Sequence, residues 1–260
     1  GYPTGGHRVT TIAVIADVHG NLPALEAVVE HAGEVDGWWC AGDTVGYGPF
    51  PNECVSLVSG LEAAAVVGNH DLGSIGAISL ERFNREARIA CEWTEQVLDP
   101  SWAALIKGLD VTRVECAGEA LLLHGSPRDP IWEYVLSREQ AYRGFLSLEN
   151  HVCFHGHSHS PAVFTWPHEA QAAGDRDALT FLVPGDGESI ELRDDAGYLV
   201  NAGSVGQPRD GDPRSCYVIF EVENRLITFH RVPYDIGRTQ AEMEAAGLPA
   251  FLVTRLALGR

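Results

Sequence analysis

Five short stretches of the chain put a metal-ligand side chain beside a glycine, an asparagine or a second ligand: Asp17-Val18-His19, Gly42-Asp43, Gly68-Asn69-His70-Asp71, His124-Gly125 and Gly156-His157-Ser158-His159. Asp17 and His19 stand where an apolar run gives way to a loop. Residues two apart on an extended chain face the same side, so both reach one ion. Asp43 follows the apolar Trp38–Ala41 and offers two carboxylate oxygens, enough to bridge two cations. Asn69 adds a neutral amide oxygen, and His124, His157 and His159 add imidazoles, the commonest ligands of transition metals. With His19 the set comprises two carboxylates, one amide and four imidazoles. That mixture suits Mn, Fe, Zn, Co or Ni better than Ca or Mg. The adjoining glycines let backbone pass close under an ion. Taken singly, each stretch also reads as a turn, a left-handed asparagine loop or a hydrogen-bonded core histidine. Their convergence at apparent strand ends separates the two readings.

The elements that must position these side chains follow from hydrophobic patterning. Val9–Ala16 is an apolar run of the kind found in strands buried on both faces. Asn21 offers a helix N-cap with Pro23 in the first turn, and Leu22, Leu25, Val29 and Ala32 repeat at helical spacing. A strand at Gly37–Ala41, a helix at Pro51–Ser59 and a strand at Ala63–Val67 continue an alternation that implies parallel strands and crossover helices. The longest helix is expected from Glu81 to Leu98, stopped by Pro100. Leu121–His124 and Val152–His155 read as further central strands, with a helix capped by Ser137 and Gln140 between them. Ala178–Val183 and Ser189–Leu192 suggest one hairpin, Cys216–Glu221 and Leu226–Arg231 another, and Phe251–Leu258 a short helix.

Length and charge bound the class. The 260 residues suit one α/β domain over residues 9–260, with the Gly-, Asp- and Glu-rich stretch 161–197 as an acidic insertion and residues 1–8 as a disordered lead or tag remnant. Eighteen basic against thirty-six acidic residues give a formal charge of −18. An acidic surface of this kind repels a polyphosphate backbone and argues against long DNA or RNA, though not against a small phosphoester. Six cysteines without a CxxC pair fit reduced thiols and a cytoplasmic setting. No apolar stretch reaches membrane-spanning length and no secretory signal is visible. A homo-oligomer is compatible with all of this.

The five stretches, in their order, resemble the calcineurin-like metallophosphoesterase superfamily, and the resemblance covers Val9 to about Arg231. It implies an α/β fold of two packed mixed β-sheets flanked by helices, a four-layer sandwich. It also implies two transition-metal ions. Asp17, His19, Asp43 and His159 would hold one; Asp43, Asn69, His124 and His157 would hold the other, with Asp43 bridging. On the same pattern His70 is the non-ligand catalytic histidine that faces the leaving group or a phosphoryl oxygen, where an imidazolium is expected to donate to the leaving alkoxide or steady the developing charge, and Asp71 helps to orient it. Asn69, His70 and Arg209 become candidate substrate contacts. Asn201-Ala202-Gly203-Ser204 resembles the late Asn-Pro-Gly-Ser segment of the small prokaryotic phosphodiesterase-like branch, with Ala202 in place of proline. The eukaryotic-type protein phosphatases carry Gly-Asp-x-Val-Asp-Arg-Gly, whereas this chain reads Gly42-Asp43-Thr44-Val45-Gly46-Tyr47-Gly48. The missing arginine weakens phosphoprotein hydrolysis. The implied activity is hydrolysis of small phosphodiesters by a metal-bridging hydroxide. The alternatives are a phosphomonoesterase, including a protein phosphatase, and a catalytically silent metal-binding scaffold. Tyr47, Phe50, Trp132 and Tyr134 are candidate pocket walls, and Arg128 is a further candidate phosphate contact.

Overall fold

The computed structural model describes residues 9–260, so the expectation for residues 1–8 lies outside the described residues. In chain order the strands are β1 (Thr11–Ile15), β2 (Gly37–Cys40), β3 (Ala64–Ala65), β4 (Thr112–Glu115), β5 (Ala120–Leu123), β6 (Val152–His155), β7 (Ala162–Pro167), β8 (Thr180–Leu182), β9 (Ser189–Glu191), β10 (Ala196–Asn201), β11 (Ser215–Glu221) and β12 (Leu226–Val232). Among the described residues they form two six-stranded sheets, ordered β3-β2-β1-β11-β12-β9 and β4-β5-β6-β10-β7-β8. Both are mixed: β1 runs parallel to β2 but antiparallel to β11, and β10 runs parallel to β6 but antiparallel to β7. Helices flank the pair, giving the sandwich the resemblance implied.

The two-sided burial of β1 explains its apolar run. Ile12 and Val14 point between the sheets, among Trp39, Phe154, Val200, Val218 and Phe220. Ala13 and Ile15 point outward against Ala24, Leu25 and Val28 of the helix Leu22–Ala32. Full burial of each larger apolar side chain contributes about 1.5–3 kcal/mol before entropy is counted. Trp39, Phe154 and Phe220 join the sheets through ring centroids 5.3 to 6.0 Å apart. Asn21 caps its helix by accepting from the Ala24 N–H at 3.3 Å, and its amide donates to the Gly206 carbonyl at 2.8 Å, tying the helix start to a distant loop.

Three expectations change. The long helix occupies Arg85–Val97, because Asn84 accepts from the Ala87 N–H at 2.8 Å and so caps it later than Glu81. Pro100 does not merely end that helix. It opens the next one, Pro100–Lys107, at a first-turn position where proline's missing N–H has no intrahelical partner to lose. The stretches around 180 and 190 do not pair with each other: β8 joins β7 in one sheet and β9 joins β12 in the other. Within residues 161–197, β7 and β8 lie in one sheet and β9 in the other. The C-terminal helix Ala250–Leu256 and the helix Ile236–Ala245 before it pack on Tyr47, Ala87 and Ala90. All six cysteines are free. No helix among the described residues is long and apolar enough to cross a membrane.

Candidate metal centre

The seven expected ligands meet beyond the carboxyl ends of β1, β2, β3, β5 and β6. Main-chain hydrogen bonds lace their loops together: the Asp17 N–H donates to the Gly42 carbonyl at 3.1 Å, His19 N–H to Asp43 at 2.9 Å and Gly156 N–H to His124 at 3.1 Å. Asp17, His19, Asp43, His157 and His159 all take left-handed backbone, with φ between 49° and 66°. Non-glycine residues held there cost of order 1–3 kcal/mol each, and such strain concentrates at functional sites. The alternation argument for Asp17 and His19 is thereby corrected. They share a direction because both turn left-handed after β1 has ended. Gly156 lies so close that a Cβ there would stand 2.5 Å from Asp17 Oδ2.

Two groups of ligand atoms result, Asp17 with His19 and His159, and Asp43 with His124 and His157. Asp43 Oδ2 faces both, 3.6 Å from His19 Nε2 and 3.2 Å from His124 Nε2, the position required of a bridge. Asn69 Oδ1 lies 3.0 Å from His124 Nε2. Backbone carbonyls set which nitrogen of each ring points inward. His19 Nδ1 meets the Val45 carbonyl at 3.1 Å, His124 Nδ1 that of Ala41 at 2.9 Å and His159 Nδ1 that of Gln207 at 2.7 Å. His157 is reversed, its Nε2 meeting the Trp132 carbonyl at 3.2 Å. A carbonyl only accepts, so each outer nitrogen carries the proton and the neutral ring turns a bare lone pair inward.

Those lone pairs confront one another. His19 Nε2 and His159 Nε2 are 3.1 Å apart, and His124 Nε2 and His157 Nδ1 are 3.0 Å apart. Asp17 Oδ1 and Asp43 Oδ2 are buried with no hydrogen-bond donor. Burying unpaired carboxylate oxygens against imidazole lone pairs is strongly unfavourable unless a cation sits among them, so the donor set fits metal ions. The protonation pattern divides the set. Burial pushes the Asp17 carboxyl up to about 8. Burial likewise pulls His19, His157 and His159 well below the usual imidazole value. Burial opposes charge on Asp43 and on His124 too, but their mutual attraction wins, holding Asp43 down and raising His124 to about 9.

The two catalytic candidates behave differently. Asp71 does not meet the His70 ring. Its Oδ2 accepts from the N–H groups of Asp43 at 2.8 Å and Gly68 at 3.0 Å, and its Oδ1 from Val45 at 3.0 Å. The expectation that Asp71 orients His70 is corrected: it organises the backbone beneath the ligands. Burial, with Asp43 nearby, raises it to about 7 against those amides. His70 Nδ1 instead meets Cys91 Sγ at 3.5 Å. Gly46 runs beneath the same ring, and a Cβ there would lie 2.9 Å from His70 Nδ1. Burial lowers the His70 imidazole to about 4, against the attraction of Asp43. Burial also raises the Cys91 thiol to about 12, keeping it protonated and able to donate to Nδ1.

Tyr47, Trp132 and Tyr134 do line the cleft, about 290 Å³ in volume, together with Asn69, His70 and His157. Tyr134 stacks on His157 at 3.9 Å, and Tyr47 lies 4.2 Å from the His70 ring. Phe50 lies elsewhere, packed in the outer helix layer. Arg128 is committed to Glu133, which removes it as a phosphate contact. Arg209 follows a supporting loop whose roles the sequence reading missed. Ser204 Oγ donates to the Asp17 carbonyl at 2.8 Å and accepts from the Gln207 N–H at 2.8 Å, while Asn201 Nδ2 donates to the Gly156 carbonyl at 2.6 Å. The Ala202 N–H donates to the His155 carbonyl at 2.9 Å, a bond proline could not make. Only the family-like Asn-x-Gly-Ser spelling signalled that loop.

Comparison with known proteins agrees with this geometry. Residues 11–225 match the calcineurin-like phosphoesterase superfamily domain. The crystal structure of a metallophosphoesterase from Sphaerobacter thermophilus is similar at 44% identity with a TM-score of 0.85, covering 97% of this chain and 100% of that one. An uncharacterized protein of Methanocaldococcus jannaschii is 38% identical over 255 residues, 96% of this chain and 98% of its own length. A symmetrical bis(5′-nucleosyl)-tetraphosphatase of Vibrio cholerae is 28% identical over 134 residues, 49% of this chain and 48% of its own.

Proposed function

The chain belongs to the calcineurin-like phosphoesterase superfamily, and on that premise we propose that it hydrolyses small phosphodiesters with the aid of two transition-metal ions. The observation that carries the reading is the pair of donor groups joined by Asp43, with buried, unpartnered carboxylate oxygens facing bare imidazole nitrogens. Asp17, His19 and His159 would hold one ion and Asn69, His124 and His157 the other, with Asp43 shared. Bound metals supply Lewis-acid activation of water and neutralise phosphoryl oxygens.

The remaining work falls to protein groups. The carbonyls of Val45, Ala41, Gln207 and Trp132 hold the imidazoles in their inward tautomers. With the Cys91 thiol donating to Nδ1, His70 keeps its proton on Nε2, the nitrogen left for the cleft. From there it donates to a phosphoryl or leaving-group oxygen as a neutral hydrogen-bond donor. Tyr47, Trp132 and Tyr134 wall a space for the second ester substituent, which a monoester lacks and a diester requires. The partial likeness to a bis(5′-nucleosyl)-tetraphosphatase supports a nucleotide-like group there. Six free thiols suit a reducing, cytoplasmic compartment.

The test is hydrolysis of an aryl phosphodiester and its matching monoester in parallel, with Mn²⁺, Fe²⁺, Zn²⁺, Co²⁺ or Ni²⁺ supplied and an Asp43→Asn control. Faster diester cleavage that disappears in the variant is expected. Faster monoester cleavage would overturn the diester preference, and no cleavage with any metal would favour a silent scaffold.

A further inference from the structure

The cleft beside the metal ligands holds one cationic side chain that the hydrolytic reading leaves without work. Arg82 lines it together with Phe83, Asn84 and Ala87, and is the only Lys or Arg among the described residues that do so. It ends the short helix Leu80–Arg82, where Ser79 Oγ accepts from the Glu81 N–H at 3.3 Å. The next residue pins the segment. The Phe83 ring meets His70 edge-on at 5.0 Å and Trp132 at 5.3 Å, and it packs so close to Gly73 that a Cβ there would stand 3.0 Å from it.

Arg82 itself lies over the Trp132 ring, its Cζ 4.1 Å from the ring centre. The same Trp132 turns its carbonyl to His157 Nε2 at 3.2 Å, and its N–H donates to Asp129 Oδ1 at 3.1 Å. One residue therefore orients a metal ligand with its main chain and carries the guanidinium on its side chain. That places Arg82 on the wall of the cleft at a position fixed relative to the ligands.

Place, and not the want of a carboxylate, sets Arg82 apart. Arg85 and Arg138 also lack a carboxylate partner among the described residues, yet neither lines the cleft. An aromatic face holds a guanidinium without consuming its N–H donors. Arg82 is exposed, and those donors meet no acceptor among the described residues. A fork already held against a ring loses less side-chain freedom when an oxyanion docks on it than a free arginine would. Its planar donors match the oxygens of a phosphoryl or carboxylate group. The amino end of the helix Arg85–Val97 borders the same wall through Asn84 and Ala87, and adds partial positive charge there.

We propose that Arg82 is a specificity residue that receives an oxyanion carried by the second ester substituent, distinct from the phosphoryl group that is cleaved. The substrate class is then a small phosphodiester bearing a further phosphoryl or carboxylate group. This rests on the hydrolase reading of the cleft.

The experiment compares three p-nitrophenyl phosphodiesters that differ only in the second substituent: propyl, 2-carboxyethyl and 2-phosphonoethyl. Each is measured as kcat/KM on the full chain loaded with metal. An anionic ester should be preferred to the propyl ester, and Arg82→Gln should lower that preference roughly tenfold, the worth of one charge-assisted contact. Preference for the phosphono ester alone identifies a phosphoryl site, and preference for both a general oxyanion site. No preference in the wild type, or an undiminished one in the variant, overturns the proposal. Arg82 is exposed and makes no hydrogen bond through its side chain, so the substitution spares the fold, which circular dichroism checks. Cleavage of the esters without anionic preference removes this site alone. If no ester is cleaved, calorimetric titration with propane-1,3-diphosphonate and with propylphosphonate reads the same ratio without chemistry. Tighter diphosphonate binding that Arg82→Gln weakens then removes the hydrolase reading and leaves the site standing, whereas equal binding overturns the site.

Discussion

Replacing Asp71 separates a scaffolding carboxylate from a catalytic one. Asp71 is fully buried, and its two oxygens accept from three main-chain N–H groups, those of Asp43, Gly68 and Val45. Asp71→Ala strands all three in a site too packed for easy solvent entry. Each stranded donor costs about 1–3 kcal/mol, so the upper estimate is about 3–9 kcal/mol. That is comparable with the ~5–15 kcal/mol stability of a whole domain. Asp71→Asn keeps one carbonyl oxygen. Placed at the Oδ2 position it still serves Asp43 and Gly68, and only the Val45 N–H, now facing an amide NH₂, is lost, at about 1–3 kcal/mol. The expected order of stability is wild type, Asn, then Ala. The assay is urea unfolding followed by tryptophan fluorescence, with metal content measured on the same samples. Two of the three amides belong to Asp43 and to Gly68 beside Asn69, so metal content should fall in step with stability. An Ala variant within about 1 kcal/mol of wild type, fully metallated yet slow, would refute the reasoning and return Asp71 to the chemistry.

Four further outcomes are expected. His70→Ala should keep its metals and lose roughly 10²–10⁴ in rate on a poor leaving group; full activity on an alkyl ester would remove His70 from the mechanism. Gly156→Ala would put a Cβ 2.5 Å from Asp17 Oδ2 and 2.6 Å from Ala16 Cβ, so it should bind one metal less per chain, and normal metal stoichiometry would contradict that packing. Metal loading should release protons at pH 7, because His124 is raised to about 9 and Asp17 to about 8. Calorimetry in buffers of different ionisation enthalpy reads this directly. For the chelated protein the sign is set by raised folded-state values. The stability from His124 is complete below about 6.5 and lost as pH rises through about 9, and that from Asp17 is lost by about 8. Its melting temperature should therefore fall from pH 7 to pH 9, and a rise would show that these groups do not dominate.

Much of the centre is written locally. Apolar runs such as Thr11–Ile15 and Val152–His155 mark strands, and side chains of metal-ligand type just past strand ends single out Asp17, His19, Asp43, His124, His157 and His159 as candidates without a structure. Strand burial and side-chain chemistry depend on near neighbours, so they are legible in order along the chain. What the tertiary structure alone decided is non-local. The inward nitrogen of His124 is chosen by a carbonyl 83 residues away, and that of His159 by one 48 residues away. Asp71 was read as a partner of its neighbour His70 because the two are adjacent, but its hydrogen bonds reach back to Asp43 and Val45. The strands β8 and β9 looked like a hairpin from spacing, yet β8 pairs with β7 in one sheet and β9 with β12 in the other. Residue type and local patterning determine which groups are available. Hydrogen-bond partners, tautomers and charge neighbourhoods depend on distances in space, and only the packed chain sets those.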